Sequence, residues 1–120
     1  MNETTKADFS SFESKLSPCA FSCFNELLGN ARERILRDGP QPIYEASLAE
    51  ILETCGAEDA EAVAQSIRDI LQCRVELKKA EYLYFLPFFA SVAIEKGMIR
   101  YSLPQELHDA LSAVTVSSPT

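Results

Sequence analysis

The sequence predicts a single α+β domain, and three observations carry that expectation. A chain of 120 residues suits one hydrophobic core. Its apolar residues recur at helical spacing up to Leu71 and alternate as along strands from Arg74. Two of the helical stretches are joined by a tight turn at Gly56, and a β-hairpin pattern follows them. A helix-turn-helix followed by a hairpin is the plan of a winged helix.

The elements follow in order. Residues 1–15 are polar and Ser/Thr-rich and read as a flexible tail in which Phe9 and Phe12 are the docking candidates. The domain is placed at 16–112, and 113–120 is read as a second tail. Ser17 caps the first helix and Pro18 suits its first turn. Phe21, Phe24, Leu28, Ala31 and Ile35 form one apolar face, and Asp38-Gly39-Pro40 ends the helix. Gly29 in its interior suggests close packing against a neighbour. Arg32, Arg34 and Arg37 suit the negative end of the helix dipole.

Ile43-Tyr44-Glu45 is a short strand candidate. Ser47 with Glu50 makes a capping box opening a helix that Cys55-Gly56 closes. Asp59 caps the next helix, which carries Val63, Ile67, Ile70 and Leu71. Arg74 to Lys78 alternates as a half-buried strand does. Tyr82 to Phe89 is aromatic, with Pro87 marking a bend or an edge. Ser91–Glu95 and Met98–Leu103 flank Lys96-Gly97 as a hairpin. Pro104 starts a last helix with Leu107 and Leu111 facing inward.

Composition narrows the function classes. The formal net charge is −7, which argues against a general nucleic-acid coat. No apolar run reaches the roughly 20 residues of a membrane span, and no secretory signal is visible, so a cytoplasmic protein is expected. Cys19, Cys23, Cys55 and Cys73 read as reduced thiols, without metal-ligand pairing. A lone histidine, His108, reads as a surface residue. With no phosphate loop and no nucleophile–base ordering, no enzyme activity, cofactor or metal is expected.

Several stretches are similar to a known family. They are Leu16-Ser17 through Phe24-Asn25-Glu26-Leu27-Leu28 with Ala31-Arg32-Glu33, Ser47 to Leu52 running into Gly56, Ser66 to Leu71, and Ala93 to Leu107. The last is the most specific, because it joins hairpin turn, strand and helix start in the family's order. Ser17 to Leu111, about four-fifths of the chain, resembles the N-terminal winged-helix domain of the iteron-type plasmid replication initiators. The resemblance implies two tandem winged helices in the family, the first assigned to dimerisation and part of the origin contact. It implies a homodimer here, with a host replication or regulatory protein as a further partner.

Charge by segment bears on DNA contact. The helix-turn-helix, residues 41–72, carries −6, whereas residues 73–103 carry +2. A groove-reading helix needs donors and phosphate-neutralising cations, and Arg68 is the only cation in this segment. Weak duplex contact is therefore expected through Arg68, Lys78, Lys79, Lys96 and Arg100, with Lys96 at the tip of the wing. A solvated strand face with edge-protecting lysines is the competing reading. Tyr82, Tyr84, Phe85, Phe88 and Phe89 are the candidate dimer interface, because alternate strand residues point to opposite faces. The competing reading turns the chain at Pro87 and buries both sets. Two functions are thus expected: a replication-initiator domain that dimerises and touches the DNA backbone, or an acidic winged-helix interaction module that leaves DNA alone.

Overall fold

The computed structural model describes residues 6–117. The centre of the molecule is α2 (Pro18–Asp38), against which α3 (Leu48–Cys55), α4 (Ala60–Leu71), α5 (Gln105–Ser117) and β2 (Tyr44–Ser47) pack. The helix starts where Ser17 Oγ accepts from the Ala20 N–H at 3.2 Å, and Gly39 ends it with φ 82°. Ala20, Cys23, Phe24, Leu27, Ala31 and Ile35 are buried along its length. The period of 3.6 directs these six to one side. Gly29 instead faces open space: a Cβ added there meets nothing within 4 Å. The close approach expected at this glycine is absent.

The two helices joined at Gly56 form as their caps require. Ser47 Oγ accepts from Glu50 N–H at 3.3 Å, and Asp59 Oδ1 accepts from Ala62 N–H at 3.0 Å. Between them Gly56 ends α3 in the left-handed conformation at φ 68°.

Two antiparallel sheets complete a single α+β domain that contains, among the described residues, five helices and six strands. One has strand order β2-β6-β5, from β5 (Ser91–Glu95) and β6 (Met98–Ser102), with Tyr44 opposite Tyr101 and Ser47 opposite Met98. The other has order β1-β3-β4, from β1 (Lys6–Asp8), β3 (Val75–Lys79) and β4 (Tyr82–Leu86). The β3–β4 hairpin therefore stands between α4 and the β5–β6 hairpin in sequence but belongs to a separate sheet.

The N-terminal region departs from the expected tail. Residues 6–8 add a strand to β3, and α1 (Ser10–Lys15) sends Phe12 into the core, fully buried. Phe12 stacks on Phe24 with ring centroids 4.3 Å apart. The polar composition hid this, because one buried aromatic anchors a short amphipathic turn whose other residues stay wet. At the other end α5 continues to Ser117, through part of the expected second tail. The remainders of the two expected tails, 1–5 and 118–120, lie outside the described residues.

An aromatic chain joins the parts. It runs from Phe12 through Phe24, Phe88, Phe89, Tyr101 and Tyr44 to His108, each centroid 4.3–5.7 Å from the next. Tyr101 Oη donates to the Leu27 carbonyl at 2.6 Å and accepts from Asn30 Nδ2 at 2.9 Å. Burial pushes its phenol further above the usual range. His108 is buried, not on the surface as expected. Tyr44 Oη accepts from the Gln41 N–H at 3.0 Å and lies 2.7 Å from His108 Nε2. With its acceptor site engaged, the phenol donates to Nε2, which assigns the neutral imidazole with its proton on Nδ1. Desolvation holds the imidazole below its ordinary pKa, partly opposed by Asp109.

Candidate functional site

The most unusual surface is β4. Tyr82, Leu83, Tyr84 and Phe85 are 64, 48, 42 and 60% exposed. β4 has β3 on one side and, among the described residues, no strand on the other. Its register puts Tyr82, Tyr84 and Leu86 opposite Lys79, Leu77 and Val75, and Leu83 and Phe85 opposite Lys78 and Glu76. Residues directly opposite share a face. Tyr84 and Leu86 therefore stand on the face that buries Leu77 and Val75, and the overhanging end carries Tyr82, whose ring stacks on Tyr84 at 6.1 Å. Leu83 and Phe85 stand on the outer face beside Lys78 and Glu76.

Within Tyr82–Leu86 the edge carries neither a charge nor a proline. Natural edge strands carry charges, bulges or proline that block pairing with another chain. β1, the opposite edge, carries Lys6 and Asp8, whereas β4 has no charged residue from Tyr82 to Leu86. Pro87 follows β4 immediately and divides the aromatic segment. Before it the side chains are outside; after it Phe88 and Phe89 are buried in the aromatic chain. Phe88 and Phe89 are thus removed from the candidate interface, since a side chain enclosed in the core offers no surface to a partner. Tyr82, Tyr84 and Phe85 remain, joined by Leu83, which the sequence reading left out. Its signal was the unbroken apolar run itself, which a strand with one buried face lacks.

The cationic candidates do not converge. Arg68 on α4 lies 2.9 Å from Glu61 and 3.2 Å from Gln65, and Gln65 donates to Asp69 at 3.1 Å. The exposed face of the helix that would enter a groove is thus linked to itself. Arg100 lies 3.0 Å from Glu45, its cross-strand partner. Such exposed pairs contribute little stability, but they occupy the donors a phosphate would use. Lys78 sits on the other sheet, opposite Lys6, and Lys79 closes β3 opposite Tyr82. Lys96 is exposed at the β5–β6 turn, where Lys96 and Gly97 take φ of 51° and 76° in a two-residue turn. That turn is tied down: Gly97 carbonyl accepts from the Leu48 N–H at 3.0 Å, at the start of α3. The hairpin tip rests on the body rather than reaching beyond it.

The chain matches no family model and no curated protein.

Cys23 is buried and its thiol pushed up to about 12, and burial also raises Cys55 and Cys73. These groups stay protonated, and a nucleophile needs the thiolate. A groove of about 540 Å³ runs between β1 and the first half of α2, lined by Phe9, Phe21 and Leu28 with Lys6, Lys78 and Glu13. It is open to solvent. No described helix is long and apolar enough to cross a membrane.

Proposed function

We propose that this chain is a winged-helix domain of the plasmid replication initiator type, cytoplasmic, that works by protein association through β4. It contributes to replication initiation as an assembly module, dimerising and leaving most or all DNA contact to other surfaces. The winged-helix reading is supported by the order α2, β2, α3, α4, then β5 and β6, with β6 lying between β2 and β5. The β1-β3-β4 sheet is an addition to that plan.

The observation that carries the functional reading is the exposed, uncharged β4 edge. An apolar edge of this kind invites another chain. Against strong DNA binding stand the −6 of residues 41–72 and the engagement of Arg68 and Arg100 with neighbouring carboxylates. Lys96 is the cation placed best for a residual phosphate contact.

The test is a salt series of binding to random-sequence duplex DNA, with mass measured by light scattering. A dimer mass with feeble DNA binding that Lys96→Glu abolishes fits the proposal. Lys96 is substituted alone, because Arg100→Glu would place two carboxylates opposite each other at Glu45. A monomer that binds DNA tightly, with steep salt dependence, overturns it.

A further inference from the structure

We infer that Cys19 and Cys55 form a redox-sensitive modification site, closing a disulfide between the start of α2 and the end of α3 under a low-molecular-weight disulfide such as oxidised glutathione.

Three of the four thiols meet at one helix junction. Cys19 and Cys23 stand one turn apart on α2 and share a face. Cys55 is the last residue of α3, which packs against α2. Its thiol shares hydrogen bonds with both Cys19 and Cys23. From α4 comes Ser66, whose Oγ lies 3.8 Å from Cys19 Sγ. Local signals fix the two helix ends there. Ser17 caps α2 two residues before Cys19, and Gly56 stops α3 directly after Cys55. Cys73 belongs elsewhere, its Sγ 3.8 Å from the Ser11 carbonyl and 3.7 Å from the Asp69 carbonyl.

Geometry and access select the pair. Cβ atoms one turn apart on a helix are separated by about 5–6 Å, whereas a disulfide needs about 3.5–4.5 Å. A Cys19–Cys23 bridge would therefore unwind the start of α2. Cys23 is also fully enclosed, at 0% exposure, which closes it to an oxidant from solvent. Cys19 and Cys55 are both partly exposed, and side chains meeting from two helices escape the one-turn restriction.

The exchange balances in two steps. The Cys19 sulfur, as thiolate, attacks oxidised glutathione, forming a Cys19–glutathione bond and releasing one glutathione, which takes up the proton. Cys55 then gives up its proton and attacks Cys19 Sγ, releasing the second glutathione as thiol. The protein loses two electrons and two protons, and oxidised glutathione is reduced to two thiols. Burial raises the Cys55 thiol, so the second step is the slow one and quickens as pH rises. Its place beside Cys19 offsets this, because the attack is intramolecular. The closed loop, 19–55, holds most of α2 together with β2 and α3. The bridge restricts the unfolded chain, so the oxidised form is the more stable one. In a reducing compartment such a bond is transient and reports oxidation.

The experiment equilibrates the full folded chain, without denaturant, in glutathione buffers from fully reduced to fully oxidised. Free thiols are then alkylated, the chain is cleaved at lysine and arginine, and linked peptides are sequenced by mass spectrometry. One bond within the chain, Cys19 to Cys55, is expected, with Cys23 and Cys73 alkylated only after unfolding. Reduced glutathione should reverse it, and the urea midpoint should be higher in the oxidised form. Cys55→Ser should halt at the Cys19–glutathione adduct, while Cys73→Ser should leave the bridge intact. The proposal is overturned if the unsubstituted protein keeps all its thiols free, halts at a glutathione adduct, or links through Cys23, Cys73 or a second copy. That peptide map decides the matter even where a variant fails to fold.

Discussion

Phe85→Ser isolates the association surface. Phe85 is 60% exposed and stands on the outer face of β4, opposite Glu76. With about 200 Å² for the whole side chain, some 120 Å² is open to a partner. At about 25 cal/mol per Å², its burial contributes about 3 kcal/mol per copy and about 6 kcal/mol per dimer. Losing both raises the dimer Kd by about four orders of magnitude. Serine is preferred to aspartate because a carboxylate opposite Glu76 would destabilise the hairpin itself. The fold of the monomer should be almost indifferent, changing by less than about 1 kcal/mol. Sedimentation over a concentration series gives the Kd, and urea unfolding of the dilute protein gives the stability. An unchanged Kd moves the interface away from β4. A loss of several kcal/mol in the monomer shows that Phe85 supports the core and refutes the surface reading.

Two further predictions concern the interior. Tyr101→Phe leaves Asn30 with one partner fewer beside a buried site and takes a donor from the Leu27 carbonyl, so urea unfolding should show a loss of about 1–3 kcal/mol. For His108 the folded-state pKa lies below the ordinary 6.5, so the unfolded chain binds more protons as pH falls past that value. Stability from this residue is therefore present above pH 6.5 and lost on acidification toward the folded pKa. Urea unfolding at about pH 7.5 and about pH 5.5 should show the drop, reduced in His108→Asn; an equal drop in that variant assigns the effect to the carboxylates.

Much of the fold was legible in the chain because its signals are local. Ser17, Ser47 and Asp59 cap helices within three residues of themselves, and Gly39 and Gly56 end helices through their own backbone freedom. The Lys96-Gly97 turn and its flanking alternation are equally local. The readings that failed depended on distant partners. His108 is buried because Tyr44, 64 residues away, supplies a donor for its ring. Arg100 likewise has its carboxylate neighbour, Glu45, on another strand of its sheet, where sequence order does not show it.

What the sequence determined by itself is the run of elements from α2 to α4, the β5–β6 hairpin and the start of α5, and the presence of an aromatic excess at 82–89, since spacing and caps are properties of a few consecutive residues. What only the tertiary structure decided is where that excess goes. Pro87 separates it, Phe88 and Phe89 joining Phe24 and Tyr101 inside while Tyr82 to Phe85 remain at a sheet edge. The role of residues 6–15 was settled in the same way, when β3 offered Lys6–Asp8 a strand to pair with. Burial is a property of the assembled surfaces: an aromatic residue is core only if the other elements close over it, and among the described residues no element closes over β4.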